Sequence, residues 1–396
     1  MELPSGERAS YNFYRVLRSI WRSKGVSRTD LASTHKLDKT TISQIVSELV
    51  GQGLVRVLDV DTSNSRPGRR SELLSVDDEW GYAIGIELRP DGIKACATDM
   101  HANVIATHHH RQLVERTTIR EAFLRSVEGL QSDDRVYSRP LIGVGVGLSG
   151  VVNPASRIIA KSIPLNILDP YDFGDQIARR LDVPVMVDND ANCGAWGELV
   201  QDDPYRPRNF LFALLEFRSA PERTVFGGDI GVGFGIVLDN QVYYGTTGAA
   251  GEFRSIFWHP GYTNQFAIPD SEAHDILTRP DVLPRFVEEL AGHVGMLTNV
   301  LDLGAVYVGG DVAPIRDLIL GAFVSSINNN WPYDEEKACR VELASLDSDI
   351  VAVGAAAMVL ERIFSEPTLP AGLTYQNDVW QQILRRRALA GASHAE

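Results

Sequence analysis

Cysteine is scarce in this sequence, and its placement excludes two chemistries. Cys96, Cys193 and Cys339 are odd in number and far apart, which fits neither a disulfide framework nor a Cys-x-x-Cys metal knuckle, so buried free thiols are expected. Long apolar runs are missing too. No stretch reaches the roughly 18 uninterrupted apolar residues that a membrane span needs, and the opening MELPSGERAS lacks the basic-then-apolar layout of a secretory leader. A cytoplasmic protein with no membrane partner is the expectation. Positive charge is also short, the formal net charge being -14, which at first argues against a nucleic-acid partner. Apolar and charged shares of 44% and 23% exclude a disordered or fibrous chain. A length of 396 residues exceeds one ordinary core, so two or three domains are expected.

The charge is unevenly spread. Residues 1–75 carry a net +4, which leaves -18 on residues 76–396. A small basic unit on a large acidic body suits a reader of phosphate backbone joined to a part that DNA repels. Within the basic unit, Phe13, Val16, Leu17, Ile20 and Trp21 fall at helical spacings of three and four. Gly25 closes that helix, and Ser27 caps a short second one with Asp30 placed for a capping box. Asp38 caps a third helix that runs through Ile42, Ile45, Val46 and Leu49 to Gly51 and Gly53. Short helix, tight turn, longer helix is the layout of a helix-turn-helix.

In that layout Arg28, Lys39, Thr40, Thr41, Ser43 and Gln44 are the candidate DNA-binding residues, the early positions of the third helix facing the major groove. Leu54–Leu58 and Ser71–Val76 read as the strands of a wing. The wing carries Arg66, Gly68, Arg69 and Arg70, a cluster suited to a narrow minor groove or to phosphates. A small helical domain with a solvated loop would share each part of this pattern but has no need of the combination.

Past residue 80 strand-like runs alternate with helical ones, as in an α/β fold. Leu141–Leu148 alternates apolar residues with glycine and leads into the loop Gly147–Gly150. Val183–Val187 runs into Asp188, Asn189, Asp190 and Asn192, ahead of a helix from Cys193. Carboxylates and carboxamides crowded at a strand end can pair with the neighbouring hydroxyls of a sugar. Alone, the cluster would be read equally well as a helix cap. It is accompanied by Gly231–Asp239, by the loop Gly245–Glu252 and by Val308 running into Gly309-Gly310.

Taken in order, the Arg-Pro-Gly-Arg-Arg wing, the Gly147–Gly150 loop, V-D-N-D-A-N, G-T-T-G-A-A-G-E and V-G-G resemble the ROK family of bacterial repressors and sugar kinases. The resemblance covers nearly the whole chain. It implies an actin-like, two-lobed sugar-kinase fold behind a winged helix-turn-helix: residues 1–76 for DNA, 80–200 for the first lobe, and 201–396 for the second, its last helices packing back on the first. It further implies sugar binding by Gly147, Ser149, Gly150, Asn189, Asp190 and Glu252, with Asp190 matching the general base of kinase members.

The chain departs from the family at three places. The first phosphate loop reads Glu87-Leu88-Arg89-Pro90-Asp91-Gly92, bulky and short of inward-facing N–H groups. The second has an extra polar segment, Arg218–Phe226, and an acidic Asp229. Ser255 stands where the family's zinc unit has its histidine, and no Cys-x-Cys cluster follows. No catalysis, cofactor or metal is therefore expected, His259 is not expected to be a ligand, and Arg254 would favour an anionic sugar derivative. The expected function is a repressor of sugar-utilisation genes, a homodimer or higher oligomer on a palindromic double-stranded operator, controlled by a sugar-type effector. The rivals are an active ATP-dependent kinase with an appended DNA-binding domain, and a DNA-binding regulator with a vestigial cleft.

Overall fold

The structure is a computed structural model that describes residues 5–23, 25–58, 72–201, 203–218, 229–346 and 349–365. The chain opens with α1 (Ser5–Arg22), β1 (Val26–Ser27), α2 (Arg28–His35), α3 (Lys39–Gly51), β2 (Val55–Leu58) and β3 (Leu73–Val76). Ser27 and Asp30 form the reciprocal capping box at the start of α2. Lys36 then takes a left-handed conformation that ends α2, and the Asp38 carboxylate accepts from the Thr41 N–H at 2.8 Å to start α3. These caps fix the tight turn that sets α3 across α2. Strands β1 and β2 flank β3 antiparallel, with Val55 opposite Val76. Val16, Leu17, Ile20, Leu31, Ile42, Val46 and Leu49 fill the space between the helices.

Next come β4 (Tyr82–Arg89), β5 (Gly92–Thr98), β6 (Val104–Arg111), α4 (Ile119–Gln131), β7 (Leu141–Leu148), β8 (Val151–Asn153), β9 (Ile158–Lys161), α5 (Phe173–Leu181), β10 (Val185–Asn189) and α6 (Asp190–Val200). They build a sheet of order β10-β7-β4-β5-β6, antiparallel through β4, β5 and β6 and parallel from β4 to β7 to β10. The remainder repeats this plan with β11 (Phe210–Phe217), β12 (Ile230–Leu238), β13 (Gln241–Val242), α7 (Asp270–Ala273), α8 (Leu283–Val300), β14 (Ala305–Gly310), α9 (Arg316–Asn329), β15 (Arg340–Leu343) and α10 (Ile350–Phe364). Its sheet runs β13-β12-β11-β14-β15. Glu87, Leu88 and Arg89 lie inside β4, and Gly231 and Gly233 inside β12. Both segments look like loops in the sequence because glycine and charge mask their alternation.

Helix α10 ties these parts together. It is apolar on nearly every side and buried along almost its whole length, as a helix enclosed by protein must be. Close approach to its neighbours depends on glycine: a Cβ on Gly145 of β7 would lie 1.9 Å from the Ala355 carbonyl oxygen, and one on Gly354 would lie 1.7 Å from that of Cys193 in α6. At its far end Phe364 stacks on Trp21 of α1 with ring centroids 4.7 Å apart. Trp21 also donates its indole N–H to the Met100 carbonyl at 2.7 Å. Arg18 and Arg22 both pair with Glu361. Residues of α1, α3, β4 and α10 consequently share one hydrophobic core.

Candidate functional site

A cavity of about 240 Å³ opens where the ends of β7 and β10 face β11, β12 and the loop after Gly251. That is below the roughly 300–1,000 Å³ of sites for drug-sized ligands, and suits a molecule of about one sugar ring. Ser149, Gly150, Lys161, Asn189, Asp190, Glu216, Arg218, Glu252, Phe253, Arg254 and Gln265 are among its walls. Of the residues expected from sequence, Ser149, Gly150, Asn189, Asp190, Glu252 and Arg254 come together here. Gly147 does not: it is inside β7, packed against Cys193 and Val351.

Asn189 combines both readings of its cluster. Its carboxamide oxygen caps α6, accepting from the Ala191 N–H at 2.9 Å, while its amide nitrogen donates to the Gly150 carbonyl at 3.0 Å. The cap holds the cavity loop in place. Asp188 is wholly structural, accepting from Asn192 at 3.0 Å and from the Tyr244 hydroxyl at 2.8 Å. Burial nonetheless raises its carboxyl to about 6. Asp190, at the first turn of α6, is held well above the usual carboxylate range by burial and by the charge of Glu216. The pull of the helix N-terminus is too weak to offset this.

Gln265 pins the opposite wall. Its carboxamide accepts from Val232 N–H and donates to the Val232 and Phe253 carbonyls, all at 2.7 Å. Ser255, which is too short to reach a ligand in the manner of a histidine, is buried and bonded at 3.0 Å to Nε2 of His293 from α8. Burial lowers the His293 imidazole and keeps it neutral. His259 is exposed and meets Tyr262 edge to face. Among the described residues no group of three or more His, Cys, Asp and Glu is arranged to hold a metal.

Behind the cavity stands a cation that sequence reasoning had counted only as bulk. Arg89, at the end of β4, pairs with Asp311 at 2.8 Å, Asp91 at 3.3 Å, Glu216 at 3.8 Å and Glu87 at 3.9 Å. Asp311 follows β14, so the guanidinium bridges the two halves of the fold. Asp311 also accepts from the Phe217 N–H at 3.1 Å. Burial alone would raise Glu216, but Arg218 and Arg89 outweigh it and hold the carboxyl low. Glu87, more deeply enclosed and less well paired, is pushed up to about 7 by burial.

At the other end of the molecule Lys39, Thr40, Ser43 and Gln44 are exposed along one side of α3. Thr41 is half-buried and spends its hydroxyl on Asp38 at 2.7 Å. Arg28 pairs with Glu72 across to β3. The arginine cluster Arg66, Gly68, Arg69 and Arg70 lies outside the described residues.

Fold and site together define a helix-turn-helix unit fused to a two-lobed domain with a ligand-sized cleft. Residues 83–256 match the ROK family and residues 10–63 match the MarR family, so the chain is similar to a ROK family domain behind a MarR-type helix-turn-helix. The xylose repressor of Bacillus spizizenii is 26% identical over 238 residues, 60% of this chain and 58% of that repressor. The xylose repressor of Staphylococcus xylosus is also 26% identical, over 61% of this chain and 59% of its own length. The chain thus spans under two thirds of these relatives. A solved ROK family transcriptional regulator, a homologue of the E. coli MLC protein, superposes with a TM-score of 0.71 at 16% identity over 96% of this chain and 99% of its own. A ROK family glucokinase from Streptomyces griseus, solved with glucose and AMPPNP, superposes with a TM-score of 0.55 at 21% identity over 70% of this chain and 99% of its own.

Proposed function

We propose that this protein is a DNA-binding transcriptional repressor of sugar-utilisation genes, with α3 in the major groove and a sugar or sugar derivative in the inter-lobe cavity controlling its affinity for DNA. The observation that carries this reading is a continuous path of packed helix. Helix α6 begins at the cavity with Asn189 and Asp190, lies against α10 at Gly354, and α10 ends on α1 through Phe364 and Glu361. A ligand that moves α6 has a direct mechanical route to the helix-turn-helix. In this reading residues 1–76 bind DNA, 80–200 form the first lobe and 201–396 the second, with α10 returned to the first. A hundredfold change in operator affinity needs only about 2.7 kcal/mol of coupling. One α3 reads one half-site, and in this reading two copies sit on a palindromic operator.

The curated relatives named xylose repressor support the repressor reading. A kinase reading draws on Asp190, which matches the general base of kinase members, but Arg89 opposes it. Its guanidinium sits at the strand end where a phosphate cradle would be needed, already paired with four carboxylates. Selection of bound duplexes from a random library tests the proposal. Enrichment of a palindrome, with binding that weakens steeply as salt rises and is lost in a Lys39→Ala/Gln44→Ala variant, is expected. Recovery of no preferred sequence contradicts it, and sugar-dependent release of ADP from ATP would favour the kinase.

A further inference from the structure

The cavity keeps its unspent charge on basic side chains, and that bears on what it holds. The argument rests on reading the cleft as the ligand site. Three acidic residues line the cavity. Glu216 is paired with Arg218 at 2.6 Å and approached by Arg89 at 3.8 Å, so its charge is spent. Asp190 is buried beside Glu216, Glu87 and Glu252, and burial together with those neighbouring charges raises its carboxyl. Glu252 is the one acid left facing the opening, and burial by the surrounding walls raises it too.

Two basic residues stand against it. Lys161 ends β9 on the first lobe, Arg254 follows Glu252 on the second, and both line the cavity. Neither has a carboxylate partner among the described residues. The Arg254 guanidinium stacks 4.1 Å over the Trp258 ring, which fixes its direction without neutralising it. On the Lys161 side, the Ser149 hydroxyl is shielded from solvent and has no hydrogen-bond partner among the described residues, a group that native proteins seldom leave unsatisfied without a ligand or water to meet it.

From this arrangement we infer that the ligand is an anionic sugar derivative, a sugar phosphate or sugar acid, whose phosphate or carboxylate lies between Lys161 and Arg254 and takes the Ser149 hydroxyl as a further donor. The sugar ring then meets Asn189, Asp190 and Glu252. Charge-assisted hydrogen bonds from opposite lobes to one anion draw the lobes together, so the charged group also drives closure. A neutral sugar of the same ring would make no use of either cation.

Calorimetric titration of the full chain decides the matter with a panel of pentoses and hexoses, each offered as the free sugar, its terminal phosphate and its acid. The expected result is a charged member binding at least about tenfold more tightly than its neutral parent, a gap of about 1.4 kcal/mol. That preference should shrink at high salt and in both Arg254→Gln and Lys161→Gln, whose melting temperatures should stay at the parent value. A free sugar binding as tightly as its phosphate and acid, or an undiminished preference in both variants, overturns the inference while the cleft remains the sugar site. Failure of every panel member to bind the parent overturns the cleft reading, and this inference with it.

Discussion

The first lobe meets the helix-turn-helix through a largely apolar core, and meets the second lobe through a shared apolar core at α6 together with ion pairs beside the cavity. Toward the helix-turn-helix the contact is core: Trp21 on Phe364, with Trp80, Ile142 and Leu360 buried around them and a single carboxylate, Glu361, at the edge. Toward the second lobe the contact beside the cavity is ionic, Arg89 set among Asp311, Glu216 and Glu87. Close-packed apolar contact is stiff and fails all at once, whereas ion pairs in a cleft reached by water exchange partners at modest cost. The difference teaches where motion belongs. The helix-turn-helix follows α10 as a unit, and the adjustable joint is the cleft.

Breaking the stiff joint should cost most. Phe364→Ala is expected to lose about 3–5 kcal/mol of stability in urea denaturation, because a fully buried ring leaves a cavity between α1 and α10. A loss under about 1 kcal/mol would mean that the core contact is not what joins the two units. Arg89→Ala removes the cation shared by Asp311, Asp91, Glu216 and Glu87 and is expected to cost about 3 kcal/mol. The coupling measured in a double-mutant cycle with Asp311→Ala gives the strength of the inter-lobe bridge directly. Additive losses in that cycle would remove the bridge from the account.

A smaller effect concerns pH. Glu87 titrates near 7 in the folded chain, against 4.5 for a free glutamate. The folded state therefore keeps a proton that the unfolded state has already released, and stability falls as pH rises through that window. Glu87→Gln should flatten this part of the stability profile between about pH 4.5 and 7, with an unaltered slope as the contrary result. Smallest in stability is Gln44→Ala on the exposed side of α3, within about 0.5 kcal/mol of the parent. Its effect should be confined to operator binding. An equal loss for every duplex sequence would turn Gln44 from a base reader into a backbone contact.

Much of this architecture could be read from residues alone, and the reason is local. Ser27 with Asp30, Asp38 with Thr41, and the helical spacing of Val16, Leu17 and Ile20 each determine a piece of backbone within one or two turns, and the caps occur as expected. The two wing strands pair as expected too. Cavity residues carried on marked loops, Asn189, Asp190 and Glu252, were legible because carboxylates beside glycine at strand ends are conspicuous. What stayed hidden depends on residues far apart in the chain. Arg89 and Asp311 are 222 positions apart, and nothing near either one announces the other. Lys161 closes an unremarkable strand, and His293 sits in mid-helix, so only the fold brings them to Ser149 and Ser255. Gly147 erred the other way: it belongs to a loop-like motif, yet the strand extends through it.

The central claim is that a ligand in the cleft acts on DNA through α6 and α10. The measurement that tests it most directly is a titration of labelled operator with the parent, Asp190→Ala and Glu361→Ala, each with and without a ligand found by calorimetry to bind the cleft. The account predicts a ligand-dependent shift of about a hundredfold in the parent, no shift in Asp190→Ala because the ligand no longer binds, and a reduced shift in Glu361→Ala although the ligand still does. If the parent binds both operator and ligand and neither alters the affinity for the other, the cleft does not control DNA binding and the account is wrong.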